Sequence, residues 1–276
     1  MVNAKVFKDE VKKLIEKIYE TQAANIDATA EIMTNAIKKG GVIHIYGSGH
    51  SVGLGIDITD RPGCLVPIHI MEMTDFVYYG GVSVEEFTDK VNIFERRPGM
   101  AEKLFNLYDL NENDVFVVIS NSGINGIVID VADLARQRGH KVITITSMTH
   151  TLAEGSRHPS GKKLYEFADV VIDNCGPHGD ALLETGSIEK VTAVSSIANN
   201  VIAHSLALQI IENLTNEGVE APVLTGDAEK DGFLIRRYSV ENNVALLTSL
   251  STVNALLNVL EEITMPVSTI DAEQRI

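Results

Sequence analysis

The stretch Val-Ile-His-Ile-Tyr-Gly-Ser-Gly-His-Ser at residues 42–51 decides the fold, together with Asp-Val-Phe-Val-Val-Ile-Ser-Asn-Ser-Gly at residues 114–123. In each stretch, a short apolar run ends in small polar residues. Runs that are apolar at nearly every position are typical of strands buried on both faces, as in a parallel sheet. Three more such runs, at residues 65–70, 141–145 and 170–172, bring the predicted number of strands to five.

Helical patterns separate these runs, for example at residues 127–138, so strand and helix alternate along the chain. This alternation predicts an α/β fold, a doubly wound three-layer α/β/α sandwich around a five-stranded parallel sheet. Ligands of such sheets bind beyond the carboxyl ends of the strands. The small polar residues stand at those ends, and they are therefore the candidate ligand-binding residues.

Helices are also predicted before and after the sheet region in the sequence. Two apolar patterns of helical spacing precede the first strand, and Gly40-Gly41 ends the second of them. A long helix is predicted from Ser195 to Leu214, and another at residues 245–260. We therefore divide the chain into N-terminal helices packing on the core (residues 1–40), a ligand-binding domain (residues 41–217), and a linker with C-terminal helices (residues 218–276).

The composition disfavours several classes of function. The formal net charge of −15 argues against nucleic-acid binding, which relies on Lys and Arg to neutralise phosphates. No apolar stretch approaches the ~18 residues of a membrane helix, and the N-terminus is unlike a signal peptide. Cys64 and Cys175 form neither a disulfide framework nor a zinc motif. We expect a soluble, cytoplasmic protein that binds neither nucleic acid nor membrane.

The first loop, Gly47-Ser48-Gly49-His50-Ser51, has the composition of an anion-binding turn. Glycines let the backbone approach an anion closely, and successive N–H groups form a concave donor site. An ordinary serine-capped turn is the structural alternative. A dinucleotide fingerprint is a second alternative, but Gly47, Gly49 and Gly53 give GxGxxxG rather than GxGxxG.

The second loop, Ser120-Asn121-Ser122-Gly123-Ile124-Asn125, is more specific. It follows a buried strand and opens a predicted helix, so hydroxyls, an amide and a helix N-terminus face one cleft. A phosphate group needs several donors, and this combination supplies them without a lysine. The two loops together indicate a site for a phosphorylated small molecule.

Both loops resemble the phosphate-binding signatures of the sugar isomerase (SIS) domain family, GxGxS after the first strand and SxSGxT after a later one. The resemblance covers about residues 35 to 215, and residues 156–165 and 173–177 resemble one bacterial branch labelled phosphoheptose or phosphosugar isomerases. It implies a flavodoxin-like SIS fold and a phosphosugar site. The residues carried over are Ser48, Gly49, His50, Ser51, Ser120, Asn121, Ser122, Gly123 and Asn125, the last standing where the family has Thr. Ser195 and Ser196 resemble the end of the family's GPTST turn.

An aldose–ketose isomerase needs a base that moves a proton between two carbons and a group that shuttles protons between two oxygens. Three residues are candidates. His204 shares a predicted buried helix face with Val201 and Leu208, and Glu72 ends the second strand. Glu184 precedes a Thr-Gly-Ser stretch that resembles the N-acetylmuramic acid 6-phosphate etherases.

The expected partners are a phosphorylated sugar and further copies of this chain. We expect no cofactor. We expect no metal either, because the spacing of His158, His178, Asp173 and Asp180 matches no metal-binding motif. The resemblance implies a homodimer or homotetramer with sites near the subunit interface. The favoured activity is an aldose–ketose isomerisation through an enediol. The alternatives are elimination of an ether or amine from a phosphosugar, and a non-catalytic phosphosugar sensor.

Overall fold

A computed structural model describes residues 2–59, 61–186 and 190–225. Contacts divide the chain into one compact unit, Met1–Leu224, and a second unit, Thr225–Ile276. The helix predicted at residues 245–260 lies outside the described residues. The domain boundaries predicted at residues 40 and 217 stay predictions.

Five parallel strands form the sheet at the centre of the first unit. They are β1 (Ile43–Gly47), β2 (Ile68–Met71), β3 (Val115–Ile119), β4 (Lys141–Thr146) and β5 (Val170–Asp173). Their order in the sheet is β2-β1-β3-β4-β5. The predicted fold class is confirmed, and each strand lies within a few residues of its predicted position.

Helices cover both faces of this sheet. The α-helices are α1 (Ala4–Lys38), α2 (Gly53–Ile58), α3 (Asp75–Tyr78), α4 (Val84–Phe87), α5 (Ala101–Phe105), α6 (Gly126–Gln137), α7 (Met148–Ala153) and α8 (Ser195–Asn216). Short 3₁₀ helices occur at Gly49–Val52, Phe94–Arg96 and Leu164–Phe167. A small antiparallel hairpin consists of β6 (Ala181–Leu183) and β7 (Val191–Ala193).

The N-terminal prediction of two helices is wrong, because α1 is a single helix of 35 residues. The polar residue Gln22 interrupts the apolar pattern between the two predicted helices. Gln22 is nevertheless buried, and its Oε1 accepts a 3.0 Å hydrogen bond from the backbone N–H of Asp173 at the end of β5. A hydrogen-bonded polar group is compatible with burial, so the helix continues through this point.

Alternate side chains of the strands face two separate apolar cores. In β3, Val115, Val117 and Ile119 belong to the core formed with α1, α2 and α8. Phe116 and Val118 belong to the opposite core, which includes side chains of α3, α5 and α6. This alternation follows from the two-residue repeat of a strand. It explains why the strands are apolar at nearly every position.

The buried face of α8 differs from the prediction. It consists of Ala198, Ile202, Ala203, Leu206, Ile210 and Leu214. Leu208 is 68% exposed, and His204 is exposed as well. Because α8 carries apolar residues on nearly all sides, its periodicity fits two faces equally well. Packing against α1 selects the face rich in alanine, and the prediction of an inward-pointing His204 is wrong.

A buried histidine lies at the opposite end of β1 from the first loop. His44 Nε2 is 3.0 Å from Asp114 Oδ2, and His44 Nδ1 is 3.1 Å from His69 Nδ1. Burial lowers the pKa of His44 more than the hydrogen bond to Asp114 raises it. His44 is therefore neutral in the folded protein, with its Nε2–H donating to the Asp114 carboxylate.

We predict that acid destabilises the protein through His44. The unfolded chain takes up a proton near the ordinary histidine pKa of 6.5, whereas His44 in the folded protein takes it up only at a lower pH, because its pKa is lowered. The free energy of unfolding should therefore fall as the pH is lowered from 7.5 to 5.5, by at most about 1.4 kcal/mol per pH unit from this residue. Chemical denaturation over this range measures the slope.

The His44→Gln variant keeps an amide donor for Asp114 but does not titrate, so its slope should be smaller than that of the wild type. His204→Gln is the matched control, because His204 is exposed. Equal slopes for the wild type and His44→Gln would contradict the assignment.

Candidate functional site

Both polar loops lie at the sheet's topological switch point. β1 and β3 are neighbours, and β2 continues the sheet on one side while β4 continues it on the other. The loops after β1 and β3 therefore flank the crevice where doubly wound sheets bind ligands. The two loops are close to each other because both approach the side chain of Glu95. A Cβ atom built on Gly49 would lie 3.9 Å from Glu95 Oε2, while Glu95 Oε1 accepts a 3.1 Å hydrogen bond from Asn125 Nδ2.

Glycine is required in the first loop for two reasons. Gly49 has φ of +58°, a left-handed conformation that favours glycine. A Cβ atom on Gly47 would lie 2.8 Å from the backbone carbon of Ser51, so the turn closes only without a side chain there. The side chain of Ser48 is buried and that of His50 is exposed, while Ser51 is half-buried.

The second loop is held by its own side chains. Ser120 is buried, and its Oγ accepts a 3.1 Å hydrogen bond from the backbone N–H of Gly123. Asn121 Oδ1 accepts a 3.1 Å hydrogen bond from Nδ2 of the fully buried Asn174. Within the described ranges, no hydrogen bond occupies the Ser122 hydroxyl, which is half-buried. Ser120 and Asn121 thus hold the loop in shape, whereas the Ser122 hydroxyl takes no part in these hydrogen bonds.

A cavity of about 510 Å³ opens beside the first loop. Its lining consists of Gly47, Gly49, Val52, Glu72, Met73, Thr74, Phe87, Thr88, Asp89, Lys90, Ile93, Phe94 and Glu95. Mostly apolar walls with a few polar groups are typical of small-molecule sites. Three acidic residues, Glu72, Asp89 and Glu95, and the basic residue Lys90 line this space. Asp89 accepts hydrogen bonds from the backbone N–H groups of Val91 and Asn92, so Glu72 and Glu95 are the carboxylates best placed to transfer protons.

Glu72 lies where the sequence predicts, at the carboxyl end of β2. Its Oε2 accepts a 2.9 Å hydrogen bond from Thr74 Oγ1. Its backbone N–H donates to Asp75 Oδ2 over 2.9 Å, and the Tyr108 hydroxyl donates to the same oxygen. These contacts fix the start of α3 and with it the direction of the Glu72 side chain.

Glu95 is a site residue that sequence reasoning missed. It stands in the 3₁₀ helix Phe94–Arg96, in a segment without regular periodicity, so no pattern singles it out. Its half-buried carboxylate is the group that contacts Asn125 of the second loop. Burial, and to a smaller extent the charge of Glu95, raise the pKa of the Tyr46 hydroxyl, which therefore stays protonated.

Arg157 was also missed, and it lies on the other side of Asn125. Its Nη1 donates a 2.7 Å hydrogen bond to Asn125 Oδ1, and its backbone N–H donates to the carbonyl of Ile124 over 2.9 Å. The Asn125 amide thus bridges Glu95 and Arg157. The guanidinium group places a positive charge next to the second loop, which suits an anionic ligand.

Ser195 and Ser196 stand at the start of α8, where the structure places a protein carboxylate. Asp180 accepts hydrogen bonds from the backbone N–H groups of Val194 and Ser195, and from Ser195 Oγ over 2.7 Å. This carboxylate already occupies the helix N-terminus that an anionic ligand would prefer. Ser195 is therefore engaged, while Ser196 is exposed.

The two other catalytic candidates do not line the cavity. Glu184 is exposed at the hairpin and pairs with Lys190, with 3.2 Å between Oε1 and Nζ. His204 is exposed on α8. Among the predicted catalytic residues, the structure brings Glu72 to the first loop and leaves Glu184 and His204 on the surface.

We predict that Gly123→Ala destabilises the protein more than Gly139→Ala does. Both glycines have a positive φ, +62° and +88°, so either alanine incurs roughly 1–2 kcal/mol of backbone strain. Only at Gly123 would the Cβ atom meet other side chains, 2.9 Å from Thr151 Oγ1, whereas Gly139 has nothing within 4 Å. Overpacking adds about 1–3 kcal/mol. Urea denaturation of both variants checks this, and equal losses of stability would contradict it.

Within the described residues, none of the helices combines the length and apolar character that a membrane span requires.

Comparison with known proteins places the chain in a family. The SIS domain family matches residues 6–147, just over half of the 276 residues. A UPF0309 protein of Listeria monocytogenes is 31% identical over 240 residues, which cover 87% of this chain and 96% of the relative.

Two solved structures are also similar. The phosphoheptose isomerase from Neisseria gonorrhoeae is 16% identical with a TM-score of 0.46, over 76% of this chain and 96% of that chain. The Vibrio vulnificus NanR protein complexed with ManNAc-6P is 15% identical with a TM-score of 0.47, over 77% of this chain and 63% of that chain. This chain thus spans less than two thirds of NanR. On the strength of the family match and the Listeria relative, the chain belongs to the SIS domain family.

Proposed function

We propose that this chain binds a phosphorylated sugar between its two loops and interconverts the aldose and ketose forms without a cofactor. The observation that carries the proposal is the pair of carboxylates, Glu72 and Glu95, that face one cavity beside the first loop. Membership of the SIS domain family supports it. We also propose a cytoplasmic protein that binds neither nucleic acid nor membrane, in keeping with the net charge of −15.

The phosphate group binds at the second loop in this proposal. The Ser122 hydroxyl and the N-terminus of α6 supply donors, and Arg157 supplies a positive charge. The first loop adds backbone N–H groups and the side chains of His50 and Ser51. Side chains already used within the protein support the site rather than contact the ligand: Ser48 by its burial, and Ser120, Asn121, Asn125 and Ser195 by their hydrogen bonds.

Glu95 is the proposed base. It contacts the second loop through Asn125 and lies near Gly49 of the first, so a sugar anchored at the phosphate extends past it. Its carboxylate takes the proton from C2 of the aldose and returns it to C1 of the enediol. Glu72, held by Thr74, moves a proton between the two oxygens. The reaction has no net proton change, so both carboxyl groups end in their starting states.

We propose that the protein acts as a homodimer or homotetramer with sites near the subunit interface. The outer face of α8 exposes Leu208 beside Tyr19, whose hydroxyl is 2.8 Å from Ser205 Oγ. A face of this kind is suited to contact with a second copy. His204 lies on that exposed side, so it would serve the site of a neighbouring subunit. A role for Glu184 likewise requires a neighbouring subunit.

We predict that Glu95→Gln strongly reduces turnover but leaves binding nearly unchanged. An amide cannot accept the C2 proton, so turnover should fall by ~10²-fold or more. Affinity should stay within a few-fold, because the phosphate contacts are unchanged. A thermal-shift screen of phosphorylated sugars identifies a ligand. Proton NMR in D₂O then measures exchange of its C2 proton with solvent.

Two controls separate binding from catalysis. Glu102→Gln removes an exposed carboxylate that pairs with Arg138, and it should leave turnover unchanged. Ser122→Asp should abolish binding by placing a carboxylate against the phosphate. Ser83→Asp adds the same charge at the N-cap of α4, where Asp is a favourable residue, and should leave binding intact. If the wild type exchanges no C2 proton of any sugar phosphate that it binds, the result would contradict the proposed isomerisation and favour elimination or sensing.

A further inference from the structure

A second cluster of chemically active side chains lies apart from the residues that line the cavity. His150 belongs to α7, Glu154 follows the end of that helix, and His178 lies in the loop after β5. One ligand atom from each of the three lies within 4.8 Å of the others. His178 Nε2 is 2.8 Å from Glu154 Oε1, and the two imidazole rings have centroids 4.8 Å apart.

The backbone around this cluster is held by Ser147. Its Oγ accepts a 3.1 Å hydrogen bond from the N–H of His150 and donates one of 2.7 Å to the carbonyl of Gly176. One hydroxyl therefore joins the start of α7 to the loop that carries His178. The N–H of Ser147 also donates to the carbonyl of Asn121 over 3.1 Å, which connects the cluster to the second loop.

Hydrogen bonds orient the side chains of this cluster. His150 Nδ1 accepts a 3.3 Å hydrogen bond from the N–H of Gly179. Metal ions bind histidine as neutral imidazole and glutamate as carboxylate. A bound metal ion would therefore replace the hydrogen bond between His178 and Glu154 with a bond from each side chain to the ion.

We propose that His150, Glu154 and His178 bind a divalent transition metal, with zinc as the best match. Two histidines and one glutamate form a ligand set that zinc uses in sites with an open fourth position. Ligand atoms around tetrahedral zinc lie roughly 3.3 Å apart, given bonds of about 2.0–2.1 Å. The three ligand atoms already lie within 4.8 Å of one another, and the His178 side chain, 54% exposed, can move to close the remaining distance.

The fourth position takes water or an oxygen atom of a bound ligand. Asp180 is the next carboxylate along the chain, but it is engaged with the N-terminus of α8 through Val194 and Ser195. It therefore does not complete the ligand set. The inference stands on the geometry of the three side chains alone and does not depend on the proposed sugar phosphate. Sequence reasoning missed the site because His150 and His178 are 28 residues apart.

Titration of the full-length, metal-stripped protein with Zn²⁺ at pH 7 by isothermal calorimetry tests the proposal. We expect one Zn²⁺ per chain, and the visible spectrum of the Co²⁺-substituted protein should show tetrahedral ligand-field bands. His178→Ala should weaken Zn²⁺ binding by at least about 100-fold, more than is usual for loss of an outer-sphere partner. His178 lies on the surface, so this variant should fold normally, which circular dichroism verifies.

His204→Ala is the matched control, since it also removes an exposed histidine, and it should leave Zn²⁺ affinity unchanged. Glu154→Gln provides an independent loss of one ligand and should weaken binding as well. The proposal is overturned if the wild type binds no stoichiometric Zn²⁺, or if His178→Ala binds it as tightly as the wild type does.

Discussion

One hydrogen bond, from Asn125 Nδ2 to Glu95 Oε1, connects the two halves of the proposed site. It attaches an irregular segment before α5 to the N-terminus of α6, and it brings a carboxylate to the edge where β1 and β3 end side by side. Without it, Glu95 would be one more acidic residue of an acidic protein. Arg157 reinforces the contact by donating to Asn125 Oδ1, so the amide is fixed at both ends.

The site depends on rigid support from below the loops. Asn174 is fully buried and donates from Nδ2 to both Asn121 and Asn199, while its Oδ1 accepts from the N–H of Gly176. A buried amide with all these partners orients the loops after β3 and β5 together. Beneath these loops, the apolar core that contains side chains of α1, α2 and α8 holds α8 against α1. The loop residues that bind a ligand in our proposal are thus held in place by buried side chains whose own hydrogen bonds are satisfied.

Sequence reasoning predicted the sheet and its two loops correctly because both follow from local patterns of residues. A largely apolar strand that ends in Gly-Ser-Gly or Ser-Asn-Ser can be recognised in the sequence. The strand order then places the two loops side by side. It could not find Glu95 or Arg157, which reach the site through turns with no periodicity. It also misjudged His204, because α8 is apolar on nearly every side and only the contact with α1 decides which face is buried. The buried Gln22, likewise, is explained by its bond to Asp173, a partner 151 residues away.

A crystal structure of the protein with a bound sugar phosphate tests the central claim most directly. The account predicts that the phosphate group contacts the Ser122 hydroxyl and the N-terminus of α6. It also predicts that C2 of the sugar lies within about 3.5 Å of a carboxylate oxygen of Glu95, the approach that proton transfer requires. A phosphate bound away from the second loop, or a sugar whose C2 faces neither Glu95 nor Glu72, would contradict the account.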